Sequence, residues 1–215
     1  MKKIIKFIVI FILILICIIM IQEVDEVSYN LDSKLIVCLD AGHGGIDVGA
    51  INDERLEKDD TLKVTQLVKK HLEDNNIKVI MTRDNDSNVS LKQRCIIANR
   101  KKADIFVSIH RNSAEIGNGV EIWTNSKQQT EDLDLANSIM EKLDDTEIQS
   151  NRGVKSGTAK GENTDYYVLN NANMTSCLIE LGFITDNKDN ELFDKHIEEY
   201  AKAIANGIIE EIKDE

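Results

Sequence analysis

Short, uninterrupted runs of aliphatic and β-branched residues alternate along this chain with longer segments whose apolar residues recur at helical spacing. That alternation is the strongest constraint on its fold. Lys34 to Asp40 carries Leu-Ile-Val-Cys-Leu without a polar break, which reads as a strand buried on both faces. Glu57 to Asp74 follows with Val64, Leu67, Val68 and Leu72 on one helical face. Ile77 to Thr82 is predicted as a strand, Ser90 to Lys102 as a helix capped by Ser90, and Asp104 to Ile109 as a second buried strand. Val120 to Trp123 alternates like an edge or half-exposed strand, and Thr130 to Leu143 has helical periodicity. The polar stretch from Asp144 to Thr164 is expected to be a long loop, Tyr166 to Leu169 and Ser176 to Leu181 the last strands, and about Asn190 to Lys213 a terminal helix. The class implied is α/β: a single domain with a mostly parallel central sheet flanked by helices.

The first residues do not belong to that pattern. Met-Lys-Lys-Ile-Ile-Lys precedes an uncharged apolar stretch of 15 residues, Phe7 to Ile21, and charge returns at Glu23, Asp25 and Glu26. This is an export signal. The stretch is shorter than the roughly 20 residues of a comfortable span, but Ile4, Ile5 and a snorkelling Lys6 extend it. With no small-x-small cleavage site after it, residues 1–22 read as a signal anchor, with a cleaved signal peptide as the alternative. Residues 23–33 read as a polar tether, and residues 34–215 as the folded domain. The location expected is the outer face of the cell membrane, or secretion.

Losing Lys2, Lys3 and Lys6 with that segment takes the net charge from −12 to near −15 for the exported part, so nucleic acid is not an expected partner. Cys38, Cys95 and Cys177 each sit inside an apolar run and read as buried free thiols, because a domain of this size needs no disulfide staples.

The chemistry is carried by few residues. His43 and His110 each stand where a buried strand ends, the position at which open α/β sheets place ligand groups. A catalytic zinc ion takes three protein ligands, commonly two imidazoles and a carboxylate, and His43, His110 and Glu57 at the start of the following helix fit that requirement. Spacing alone leaves bland alternatives open: a hydrogen-bonded structural histidine, or a first-turn glutamate facing the helix dipole. His71 and His196, among charged neighbours within helices, read as surface or boundary residues. Glu180 is anomalous, since Cys177-Leu-Ile-Glu-Leu-Gly-Phe buries a carboxylate at a cost that needs a partner or a task. It suits a general base, or else pairs with Arg83 or Lys58.

Several segments together resemble a known family. Asp40-Ala-Gly-His-Gly-Gly-Ile-Asp-Val-Gly-Ala, Leu56-Glu-Lys-Asp, Thr82-Arg, Leu91-Lys-Gln-Arg, Ala98-Asn, Ser108-Ile-His-Arg-Asn-Ser and Ile179-Glu-Leu-Gly-Phe-Ile, in this order, are similar to the zinc-dependent N-acetylmuramoyl-L-alanine amidases of the Amidase_3 family. The small size and lone N-terminal segment look most like the CwlD-type sporulation and germination amidases. The resemblance implies Zn2+ bound by His43, Glu57 and His110, Glu180 as catalytic base, and peptidoglycan as substrate. The bond cut would be the amide between the muramic lactyl group and L-alanine, as the step before muramic-δ-lactam formation in spore cortex. The location would then be the space between the forespore membranes. Arg83 and Asn112 are expected near the ligands or facing substrate. Arg111 stands where many relatives have a small residue, and the loop from Asp144 to Thr164 is too short for an inhibitory helix. Two rival readings are a zinc peptidase acting within the stem peptide, and a catalytically silent tethered activator of another wall hydrolase. A chain without a wall-binding module is also expected to use a membrane-associated activating protein.

Overall fold

The computed structural model describes residues 35–127, 129–159 and 164–214. The predicted signal anchor and tether lie outside them, and among the described residues no helix is long and apolar enough to cross a membrane. Among the described residues eight strands and five helices follow in chain order: β1 (Ile36–Ala41), β2 (Ile51–Asn52), β3 (Arg55–Leu56), α1 (Glu57–Asp74), β4 (Lys78–Met81), α2 (Leu91–Arg100), β5 (Ile105–Asn112), β6 (Val120–Thr124), α3 (Thr130–Asp144), β7 (Asn151–Ser156), α4 (Tyr167–Asn171), β8 (Thr175–Phe183) and α5 (Asn187–Asp214). Six strands make one sheet in the order β4-β1-β5-β8-β6-β7, and β2 and β3 make a small antiparallel ribbon that feeds α1. β4, β1, β5 and β8 run parallel, while β6 is antiparallel to β8 and carries β7 parallel to itself. The expectation of a single, mostly parallel α/β domain holds.

Period-two alternation divides the sheet residues between two cores. Val37, Leu39, Ile105, Val107, Ile109, Ile179 and Leu181 pack against α1, α3 and α5, and Cys38, Phe106, Leu178 and Trp123 against α2 and α4. The helices start where local chemistry allows. Ser90 and Gln93 form a reciprocal capping box at α2. α5 contains non-helical dihedrals at His196 (φ −123°, ψ 21°), so it is two helical stretches joined by a kink. His71 pairs with Glu198 and His196 with Glu199 at the boundary of the fold. All three described cysteines are free and buried, and burial pushes the Cys95 thiol up to about 11.

Three expectations fail. Tyr166 to Leu169 is the entry to a short helix, α4, not a strand; both sides of β5 are already occupied by β1 and β8, and Val168 and Leu169 are buried beside Cys95 and Phe106 instead. The polar stretch after Asp144 contains the edge strand β7, which holds a single apolar residue, Val154, and so carries no strand signal. With β7 beside it, β6 is interior, and all five of its residues are buried where a half-exposed edge was expected.

Candidate active site

The C-terminal ends of β1, β5 and β8 meet at one rim of the sheet, and His43, Glu57, His110 and Glu180 all lie there. β1 ends at Ala41, and Gly42 donates its amide to the Ile109 carbonyl at 3.0 Å, which ties the loop to β5. A Cβ on Gly42 would stand 2.3 Å from His110 Cε1, so only glycine lets the imidazole lie against this backbone. His43 takes φ 60°, a left-handed conformation that costs a non-glycine residue and persists only where neighbours impose it. Those neighbours are two buried arginines. Arg83 donates to the carbonyls of Ala41, Gly42, Lys58 and Asn85, and Arg94 to those of Ala41, His43 and Val89.

Arg94 also donates to Asp40 Oδ1 at 2.6 Å, and Asp40 accepts from Thr82 and Ser108, so its buried carboxylate is fully matched. Breaking that pair with Arg94→Met leaves an uncompensated buried charge, for which the expected loss is about 3–5 kcal/mol of stability. Urea unfolding of the variant measures it.

Glu57 is the first residue of α1 and is buried. Its Oε2 lies 3.1 Å from His43 Nε2 and its Oε1 3.0 Å from His110 Nδ1, while the amides of Ala50 and Arg111 also donate to it. The two imidazole rings are 4.9 Å apart and nearly perpendicular. One donor atom from each of the three residues falls within 4.8 Å of the others. Burial opposes ionisation of Glu57, but the imidazole hydrogen bonds win and hold its carboxyl well below the usual range. Burial likewise works to lower the His43 pKa, and the Glu57 and Asp47 carboxylates overcome it and raise it.

This donor set fits a zinc ion. Two imidazole nitrogens and a carboxylate are the ligand types a catalytic zinc takes, and here each imidazole faces one oxygen of the same buried carboxylate, at 3.1 and 3.0 Å. Asp47 Oδ1 stands 2.9 Å from His43 Nδ1, the outer carboxylate that fixes a ligating imidazole's tautomer and ring orientation. Asp47 lies within the Asp40–Ala50 segment that carries the family resemblance, but the sequence reading assigned it no role.

Glu180 on β8 is in register with His110 on β5 and with Glu121 on β6, so the three side chains share one face across three adjacent strands. Its Oε2 is buried with no hydrogen-bond partner. Burial first, then the nearby charges of Glu57 and Glu121, push its pKa well up, against a smaller opposing effect of Arg111. Neither alternative partner reaches it: Lys58 pairs with Asp86 at 2.7 Å, and Arg83 is occupied by backbone carbonyls.

Arg111 follows His110 but points to the opposite face, where its guanidinium pairs with Asp60 at 2.6 Å, donates to Asn190 and lies 4.4 Å over the Phe193 ring. It does not narrow the site. Arg83, expected beside the ligands or facing substrate, is buried and shapes the His43 loop. Asn112 donates to Glu121 Oε1 at 2.8 Å. Glu121 itself escaped the sequence reading because β6 looked half-exposed.

Comparison with known proteins places this geometry in context. The profile of the Amidase_3 family, described as N-acetylmuramoyl-L-alanine amidase, matches residues 37–210. The uncharacterised protein YqiI of Bacillus subtilis is 35% identical over 80% of this chain and 82% of its own length. The germination-specific N-acetylmuramoyl-L-alanine amidase of the same organism is 29% identical over 82% and 79%. Among solved structures, the CwlD amidase from Clostridioides difficile in complex with the GerS lipoprotein is similar with a TM-score of 0.77 at 32% identity, covering 84% of this chain and 100% of that chain.

Proposed function

Because the chain belongs to the Amidase_3 family of N-acetylmuramoyl-L-alanine amidases, we propose that it is a zinc enzyme cutting the amide between the lactyl group of N-acetylmuramic acid and the L-alanine of the stem peptide. The observation that carries the reading is Glu180, a buried, unpartnered carboxyl in register beside the His43, Glu57 and His110 cluster. His43, Glu57 and His110 hold the metal, which when bound supplies a Lewis acid for the carbonyl and for the attacking water. Glu180 takes the water proton. A carboxylate that burial disfavours as an anion is a strong proton acceptor, and the same group, once protonated, delivers its proton to the departing alanine nitrogen. Asp40, Arg83 and Arg94 keep the His43 loop in its strained conformation while this happens.

Digestion of peptidoglycan by the full chain with and without added zinc tests the proposal, with products read by mass. Free stem peptides beginning with L-alanine are expected. Cuts between stem-peptide residues would instead make it a zinc peptidase, and no cuts at all a silent activator. Asp47→Asn removes the carboxylate behind His43 and should weaken zinc binding ~10–100-fold. Chelator competition on the purified protein measures that loss.

The finer placement belongs to the same proposal. The germination-specific relative and the CwlD likeness support peptide stripping in spore cortex, before muramic-δ-lactam formation, in the space between the forespore membranes. Export follows from the substrate and from the signal-like start, with attachment through the N-terminal segment. Because the CwlD structure is a complex with a lipoprotein, a membrane-associated partner that activates this chain is part of the proposal. Full-rate digestion by the isolated protein would remove that part. Vegetative growth without a sporulation defect in a deletion strain would remove the cortex role.

A further inference from the structure

Beyond Glu180, the same face of the sheet carries a second group of charged residues that the proposed reaction does not use. Glu121 is only 3% exposed, yet it accepts four hydrogen bonds: from Asn112 Nδ2 (2.8 Å) and Trp123 Nε1 (3.1 Å) on Oε1, and from Arg152 Nε (2.7 Å) and Lys155 Nζ (2.5 Å) on Oε2. Both cations come from the edge strand β7. One carboxylate is thus matched by two cations, leaving a local excess of positive charge on a chain whose net charge is −12.

The two cations are fixed in place but not used up. The Arg152 guanidinium lies 5.0 Å from the Phe183 ring centre and the Lys155 ammonium 5.3 Å from that of Trp123. Their side chains are 37% and 33% exposed. Arg152 makes one further bond, a long 3.3 Å contact from Nη1 to the Asn118 carbonyl, and its Nη2 has no hydrogen-bond partner among the described residues. Neutralising Glu121 would need only one cation. Two, each immobilised on an aromatic ring with donors to spare, form a preorganised receptor for an anion, and a fixed guanidinium beside an ammonium suits a carboxylate.

We propose that Arg152 and Lys155, held by Glu121, form a subsite for a carboxylate of the stem peptide just beyond the scissile bond; this deepens the amidase reading and rests on it. Position supports it. His110, Glu180 and Glu121 lie in register on adjacent strands, each about 4.8 Å from the next. The alanine nitrogen leaves at Glu180, and a peptide covers at most ~3.3–3.6 Å per residue. A peptide running toward β7 therefore brings an acidic residue that follows the alanine within reach of the two cations. The acidic residue that follows alanine in stem peptides occurs with its α-carboxyl free or amidated, so the subsite would sense that state.

The test is calorimetric titration of the full chain with two tripeptides, L-alanyl-γ-D-glutamyl-diaminopimelate and the same peptide with the glutamate α-carboxyl amidated. The unamidated peptide is expected to bind at least five-fold more tightly, with Lys155→Arg retaining that preference and the double variant Arg152→Gln, Lys155→Gln losing it. A purely structural role would weaken both peptides equally, so the ratio is the readout. Equal binding in the wild type, a preference surviving in the double variant, or no binding of either peptide at millimolar concentration overturns the subsite. Hydrolysis of the matching muramyl peptides separates this from the amidase reading. Cleavage with no difference in KM between them sinks the subsite alone, and a binding preference without any cleavage sinks the amidase reading alone.

Discussion

Glu180→Gln is expected to abolish turnover while zinc stays bound. The side chain donates to and accepts from none of the three candidate ligands, so glutamine leaves His43, Glu57 and His110 where they are. In the proposed mechanism what is lost is the group that accepts the water proton and returns it, and general acid–base groups contribute ~10²–10⁴-fold to rate. Release of amino-terminal alanine from peptidoglycan measures the rate, and elemental analysis the metal. Activity above a tenth of wild type would remove Glu180 from the proposed mechanism. The same substitution has a stability signature in the chelated protein. Folding raises the Glu180 pKa, so between the ordinary carboxylate value near 4.3 and the raised one the unfolded chain is ionised while the folded one holds its proton. The folded state is therefore penalised as pH rises through that window. Glutamine has no proton to lose. Chelated Glu180→Gln should melt above chelated wild type at neutral pH, with the gap narrowing as pH falls through that window and closing below about 4.

His110→Ala acts on the other half of the site and is expected to lose the metal. Zinc binding to protein sites is worth ~10–16 kcal/mol in apparent free energy. Removing one of three protein ligands should cost ~3–5 kcal/mol, about 10²–10⁴ in affinity. Elemental analysis after dialysis is expected to find the variant empty under conditions that leave Glu180→Gln loaded. A loaded His110→Ala would mean that the His43, Glu57 and His110 cluster is a hydrogen-bonded structural group. The opposite outcomes expected for these two variants separate metal binding from proton transfer, although both remove activity.

Much of the fold was legible because its signals are local. β1, β5 and β8 are continuous apolar runs, α1 begins at the predicted Glu57, and Ser90 caps α2 through bonds made within three residues. The failures are equally physical. Asn151-Arg-Gly-Val-Lys-Ser is too polar to look like a strand, and it becomes one only because the exposed edge of β6 offers it a ladder. Tyr166 to Leu169 has strand composition but finds no free edge beside β5. Glu121 looked solvent-facing until β7 covered it, which hid Arg152 and Lys155 as well.

The sequence by itself determined the α/β class and most of the elements, and it marked His43, His110 and Glu180 as candidates through their own neighbours along the chain, with Glu57 joined to them by the family resemblance. Only the tertiary structure decided that β8 inserts between β5 and β6, which sets Glu180 beside His110 on one side and Glu121 on the other. It also decided that Arg111 turns away beneath Phe193 while Arg83 and Arg94 grip the His43 loop. Strand order and register are settled by packing between segments tens of residues apart, and local periodicity carries no record of which strand will lie beside which.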